Sequence, residues 1–287
     1  MDDAKTCAIA SLLYAKRPLL NFAHIVGELH TTLRNCPHKL IRVSWDHEDL
    51  AIFDLDGSRI TLGWAEAEEG VIPAEAGEAI ARALDGFVPD MARLRDGAAR
   101  DGVVVPDLVG QLRAAVGEPH ASHVHFGATS QDVIDTGLAL RLVQVMAVLE
   151  TRIEQVCGLL SEIEARDGSV ETMAHTRMQV AIPVPAARKI LSWRDPLIRH
   201  RDRLAAVRED VAMLSFGGAA GTLEKLGENA NGVMQRLAAR LALGCAPRAR
   251  HSERDGVATF ASWLSLLTGS LGKMGQDVAL MAQNEVA

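Results

Sequence analysis

Apolar residues recur through the second half of this chain at the three- and four-residue steps of an α-helix. From Asp132 onward, Ile134, Leu138, Leu142, Val145, Leu149, Ile153, Val156, Leu160 and Ile163 fall on one helical face. The run closes at Arg166-Asp167-Gly168, a basic residue followed by a glycine stop signal. At 1.5 Å per residue the pattern predicts a helix about 50 Å long, which cannot bury that face alone and must lie along a bundle. A second helix is predicted after Pro183 and Pro185, where Ile190, Trp193, Leu197, His200, Leu204, Val207, Val211 and Leu214 make a seam like that of a coiled coil. Pro196 interrupts it and predicts a kink near Arg194 or Asp195. His200, inside the seam, reads as a packed or hydrogen-bonded histidine rather than a ligand. A shorter helix is expected from Glu228 to Leu241. The last is expected from Ser252, where Ser252-x-x-Asp255 has the form of a capping box, and it carries Val257, Phe260, Leu264, Leu267, Leu271, Met274 and Val278.

The first 65 residues have a different texture, with helix-like Phe22 to Leu33 followed by Leu40 to Trp45 and Leu50 to Trp64, and read as a small α/β segment. Ala51 to Ile60 contains Asp54-Leu55-Asp56-Gly57, which mimics the strand end of haloacid dehalogenase-like phosphatases, with Asp54 as nucleophile and Asp56 as acid. The favoured reading is a β-hairpin turning at Asp56-Gly57, because helical periodicity takes over almost at once and leaves no room for a parallel sheet.

Composition narrows the class. Of 287 residues, 48% are hydrophobic but only 4% aromatic, which favours helices packed by aliphatic seams over a sheet sandwich. A formal net charge of -7 and the absence of a basic patch argue against a nucleic-acid partner. Cys7, Cys36, Cys157 and Cys245 form no Cys-x-x-Cys pair, so neither a zinc ribbon nor a disulfide framework is indicated, and a reducing cytoplasm is expected. No signal peptide and no membrane span are expected.

The most informative run is His125-Phe126-Gly127-Ala128-Thr129-Ser130-Gln131-Asp132. Two hydroxyls after a small-residue turn, at a helix start, place donors where a carboxylate would bind, although an ordinary helix cap needs the same residue types. Gly217-Gly218-Ala219-Ala220-Gly221-Thr222 lacks the lysine of a phosphate loop and suits a turn between helices with positive φ. His120, His123 and His125 lie close in sequence but no carboxylate or thiol follows at a familiar zinc spacing, so no metal is expected.

The octet resembles the first signature of the fumarase and aspartase superfamily, and within it the carboxymuconate cycloisomerases. Thr176-Arg177-Met178-Gln179-Val180-Ala181-Ile182-Pro183 resembles the second signature; Leu214 to Thr222 is similar to a loop between bundle helices; His251-Ser252-Glu253-Arg254-Asp255 is similar to the motif opening the last helix. The resemblance runs from about Trp64 to Ala287. It implies a mainly α fold, a long-helix bundle preceded by a small α/β segment. The division is 1–65 as a segment unrelated to the family, 66–131 as a helical remnant of the amino-terminal lyase domain, and 132–287 as part of the central bundle.

The resemblance also implies a lyase-type, cofactor-free reaction next to a carboxylate. A carboxylate oxygen of a conjugated tricarboxylic acid adds across a double bond to close a lactone, in protocatechuate breakdown. Carried over by position, His125 is the catalytic candidate lining the pocket. Thr129 and Ser130 bind a carboxylate, Gln179 hydrogen-bonds substrate, and Arg177 and Arg254 supply positive charge. For Arg254 a structural pair with Asp255 or another acid is an equal expectation, and Asp132 is expected as a helix cap. Arg177 stands where adenylosuccinate lyases have histidine, and an arginine is no ordinary acid or base near neutral pH, which disfavours that alternative. Assembly as a homotetramer in the cytoplasm is implied. The third signature, a Gly-Ser-Ser-x-Met-Pro loop with a proton-handling serine, does not occur in these residues. The expectation is therefore a truncated chain with little or no activity, the alternative being a non-catalytic helical assembly module.

Overall fold

The computed structural model describes residues 58–85, 87–177 and 179–283, and there the chain is mainly helical, as the apolar periodicity requires. In chain order the helices are α1 (Ser58–Glu68), α2 (Ala74–Leu84), α3 (Met91–Asp101), α4 (Val105–Val116), α5 (Ser130–Asp167), α6 (Ala186–Val211), α7 (Ala230–Arg240) and α8 (Asp255–Met281). Short 3-10 turns occupy Ala121–His123 and Glu224–Asn229, and a two-stranded antiparallel sheet pairs β1 (Glu171–Thr176) with β2 (Gln179–Pro185). The described chain divides into two compact units. One comprises the residues up to Gln144 together with Glu209–Gly256, the other Val145–Arg208 together with the residues from Val257 onward.

The first unit is built on two apolar clusters. Ile72, Ala76, Ile80 and Leu84 of α2 pack with Leu94 of α3, Leu108 and Leu112 of α4, and Val124. Ala65 and Ala139 pack with Leu214, Phe216, Leu226, Val233 and Leu237. Local chemistry sets the boundaries: Asp90 caps α3 by accepting from Ala92 N at 3.0 Å and Arg93 N at 3.1 Å, and Gly102 ends it at φ 72°. In the second unit Ile190, Leu197 and Leu204 recur every seven residues along α6 and are at most 4% exposed, the spacing of a coiled-coil seam. Polar ties join the helices there. Arg208 pairs with Glu150 at 3.1 Å, Trp193 Nε1 donates to Asp277 at 2.7 Å, and Trp263 Nε1 donates to the His200 carbonyl at 2.9 Å. His200 is buried and bonded to Ser270 Oγ at 2.9 Å, the packed histidine its place in the seam predicts.

Four expectations change. The most deeply buried line of α5 is Ala139, Met146, Ile153 and Leu160, while Leu138, Leu142 and Leu149 are half-buried; counting only large aliphatics shifts the face. The last helix starts at Asp255 rather than Ser252, which is exposed. The segment resembling the second signature is a β-hairpin, unforeseen because Val180, Ile182 and Val184 alternate in only one of its strands. The hairpin expected over Ala51–Ile60 does not reach its second strand, because Ser58–Ile60 open α1. The rest of that reading, with Asp54, Asp56, Cys7, Cys36 and the stretches from Phe22 to Trp45, lies outside the described residues.

Candidate functional site

The first two turns of α5 present Asp132, Asp135 and Thr136, and each finds a partner from the loops after α6 and before α8. Asp132, 3% exposed, accepts four hydrogen bonds: Oδ2 from Thr129 N at 2.9 Å and Gly218 N at 3.0 Å, Oδ1 from Gly217 N at 2.8 Å and from His251 Nε2 at 2.6 Å. The cap foreseen for Asp132 is therefore real, but both oxygens of the same carboxylate also close on the glycine loop, and Oδ1 on a histidine as well. Thr136 Oγ1 donates to the Ser215 carbonyl at 2.8 Å and accepts from Ser215 N at 3.2 Å, fixing that loop against α5.

Arg254 meets Asp135 in a bidentate fork, Nη1 to Oδ1 at 2.9 Å and Nη2 to Oδ2 at 2.8 Å, and Nη2 also donates to the His251 carbonyl. Hydrogen bonding to Asp135 raises the Arg254 guanidinium further above its usual range. The acid partner is thus Asp135; Asp255 pairs instead with Arg250 at 3.3 Å. Asp132 and Asp135 are three residues apart on one helix face, and so are His251 and Arg254 on the facing loop. Two carboxylates thereby meet an imidazole and a guanidinium in register.

The glycine loop fits this arrangement for steric reasons. Gly218 sits at φ 67°, and a Cβ there would lie 2.7 Å from the Gly127 carbonyl oxygen. Gly127, in the octet itself, sits at φ 67° as well. His125 adopts φ 63°, a left-handed conformation that costs a non-glycine residue energy and belongs with sites the surroundings over-determine. Burial, helped by Arg113, pushes the His125 imidazole below its ordinary value against the opposing pull of Asp132, which keeps it neutral at pH 7.

Among the expected site residues, His125, Thr129, Ser130 and Arg254 belong to the first unit. Thr129 and Ser130 are half-buried where α5 begins, and the Thr129 N–H is committed to Asp132. The Asp132 N–H in the first turn donates in return to the Thr129 carbonyl at 3.1 Å. Arg177 and Gln179 belong to the second unit, flanking the β1–β2 turn. Both are exposed, with Arg177 at φ 48° as a tight two-residue hairpin turn demands. Sequence reasoning passed over His251 and Asp135 as site members; the signal was the repeated three-residue spacing of Asp132/Asp135 and His251/Arg254. Among the described residues no group of three or more His, Cys, Asp or Glu side chains is placed to hold a metal ion.

Comparison with known proteins gives the same picture. The chain is 39% identical over 227 residues to a 3-carboxy-cis,cis-muconate cycloisomerase of Pseudomonas aeruginosa, covering 78% of this chain and 50% of that one. A fumarate lyase crystal structure from a Mesorhizobium species superposes with a TM-score of 0.77 at 35% identity, over 80% of this chain and 54% of that one. The 3-carboxy-cis,cis-muconate lactonizing enzyme of Pseudomonas putida superposes with a TM-score of 0.76 at 36% identity, over 80% and 53%. The chain spans about half the length of the curated relatives it matches. The lyase family model matches residues 44–287, and with its signature turn, glycine loop and long helices in place, the chain belongs to the lyase family and has the fold of the fumarase and aspartase superfamily.

Proposed function

We propose that this chain is a carboxymuconate cycloisomerase-like protein whose first unit grips the carboxylates of a small tricarboxylic acid. The observation that carries the reading is the single carboxylate of Asp132, which ties the signature octet, the glycine loop and His251 into one rigid pocket wall. Thr129 and Ser130 bind one carboxylate at the positive end of α5. Arg254 keeps donors beyond those used by Asp135 and His251, and its planar fork suits a second carboxylate. Arg177 and Gln179 are assigned to substrate binding as well. In the reaction a carboxylate oxygen bonds to one alkene carbon, closing the lactone, while the other alkene carbon, α to a carboxylate, carries enolate-like charge and then gains a proton. Cationic and N–H donors lower the energy of that charge, and His125 can serve the protonation only by first taking a proton from solvent and then giving it to the carbon as imidazolium, returning to its neutral form. No metal and no cofactor are assigned to it.

The serine-bearing loop that the resemblance makes the proton donor is not among these 287 residues, so turnover by them alone is expected to be weak. The test follows the ultraviolet absorbance of 3-carboxy-cis,cis-muconate with the purified chain beside Arg254→Ala and Thr129→Ala. Loss of conjugation with the parent chain and not with the variants supports the reading. Equal rates for all three would refute the assigned roles.

Association is the second reading, favoured by exposed apolar side chains on α8 and β2: Val257, Leu266 and Met281 at 38%, 57% and 44% exposure, and Val180 and Ile182 at 66% and 64%. A homotetramer is expected, checked by sedimentation velocity. Among the described residues no helix is long and apolar enough to cross a membrane, and the expected compartment is the cytoplasm.

A further inference from the structure

His125 opens the signature octet at φ 63°, a conformation that a non-glycine residue keeps where its surroundings hold it. The residue before it is held by both its N–H and its carbonyl. Val124 is 4% exposed, and its N–H donates to the Ala121 carbonyl at 3.2 Å. Its carbonyl accepts from Arg113, from Nη2 at 3.2 Å and from Nε at 3.4 Å. Arg113 is in turn fixed where α4 ends, because its own carbonyl accepts the Gly117 N–H at 2.9 Å and Gly117 turns the chain at φ 72°. These contacts occupy one edge of the guanidinium and leave its charge without a carboxylate among the described residues. Arg254, by contrast, is neutralised by Asp135.

We propose that Arg113 is a positioning residue for His125: its guanidinium clamps the Val124 carbonyl, holding the backbone that presents the imidazole, and sets an unneutralised positive charge beside that ring. The clamp acts through covalent geometry. The Val124 carbonyl and the His125 N–H share one planar peptide unit, so fixing the direction of that carbonyl fixes one side of the rotation that defines φ at His125. The charge acts against a known background. Burial disfavours the charged imidazole, Asp132 on α5 favours it, and Arg113 on α4 opposes it again, leaving the ring below its ordinary value. Glu66 on α1, whose carboxyl burial holds up at about 8, and His123 line the same wall, and a Cβ built on Gly127 would lie 3.8 Å from Lys225 Cβ. An imidazolium beside a guanidinium gives up its proton more readily, which suits a ring that returns to its neutral form after protonating carbon. That chemical consequence rests on the role given to His125 above, whereas the clamp and the charge do not.

The test titrates the full chain with its histidines carbon-labelled at Cε1 and followed by NMR, the His125 signal being identified by its absence from His125→Asn. Hydrogen exchange of the peptide 121–127 is read beside it by mass spectrometry. Arg113→Gln removes both the charge and the fork, while Arg113→Lys keeps the charge alone. Exchange should quicken at least about threefold in both variants, because neither holds the Val124 carbonyl with a two-nitrogen fork. The His125 midpoint should move up in Arg113→Gln and stay with the parent in Arg113→Lys, a separation that a merely structural arginine would not produce. In the parent chain, raising salt from about 0.02 M to about 1 M should also move that midpoint up, since exposed Arg113 is screened and buried Asp132 much less. A midpoint that Arg113→Gln leaves in place overturns the proposal, as does exchange at the parent rate in both variants. Should Arg113→Gln fail to fold, exchange in Arg113→Lys and the salt series decide, and an unchanged value in either overturns it. Failure of the carboxylate grip reads separately, as tricarballylate that does not bind the parent chain, and none of these signals depends on it.

Discussion

Replacing Glu66 with glutamine should stabilise this protein at alkaline pH and do little in acid. Burial raises the Glu66 carboxyl from an ordinary 4.5 to about 8, with no partner to offset it. The folded state therefore holds a proton that the unfolded chain releases between those two values. Stability falls as pH rises through the window and levels off above the folded value. At 1.36 kcal/mol per pH unit, the cost of Glu66 is about 1 kcal/mol at pH 5 and about 4 to 5 kcal/mol at pH 8.5. Structural relaxation that lets water reach the ionised carboxylate would offset part of this, so the gain of Glu66→Gln over the parent should grow by about 2 to 4 kcal/mol between the two pH values. Urea unfolding of both proteins at pH 5 and pH 8.5, followed by far-ultraviolet circular dichroism, measures it. A difference between the two proteins that changes by less than about 0.5 kcal/mol across that range would refute the argument, because the carboxyl would then be solvated or paired.

Asp132→Asn replaces one acceptor with a donor against Gly217, Gly218 or Thr129, and should cost about 2 to 4 kcal/mol, seen as a fall in Tm of several degrees. Gly218→Ala combines φ 67° with a 2.7 Å approach to the Gly127 oxygen and should cost at least about 1 to 2 kcal/mol in the same melt. His200 is held below its ordinary value by burial and by Arg203 and Arg199, so the unfolded chain protonates first on acidification. Stability should decline as pH falls through about 6.5, and His200→Gln should flatten that decline in urea melts from pH 8 to pH 5. Arg254→Lys keeps the charge but not the fork, and should weaken binding of an unreactive tricarboxylate such as tricarballylate by about tenfold or more in calorimetry.

Much of this architecture can be read from the sequence where packing follows large aliphatics at fixed spacing. The seam on α6 falls where Ile190, Leu197 and Leu204 place it, and α7 lies within the expected span from Glu228 to Leu241. The face of α5 is less legible, because small Ala139 and flexible Met146 carry its buried line while larger neighbours stay half-exposed. The β1–β2 hairpin escapes because its apolar positions are exposed and its alternation short. In the site, the octet and glycine loop announce themselves by composition, but the sharing of Asp132 among four donors needs three-dimensional proximity. Glu66 left a trace in the sequence: it lies four residues after Leu62 on the apolar stripe of α1, a polar residue where the helical period calls for an apolar one.

The paired contacts Asp132–His251 and Asp135–Arg254 each join residues 119 positions apart. Closing a loop of that length costs about 4 kcal/mol of chain entropy by the logarithmic rule, and that cost is met once for both. Whichever contact forms first delivers the other at little further entropic expense. The two should thus behave as one cooperative latch, with the loss of either costing more than half of what the double variant loses. They should also close late in folding, since the chain between them, including the hairpin and most of two long helices, gains nothing from waiting for them.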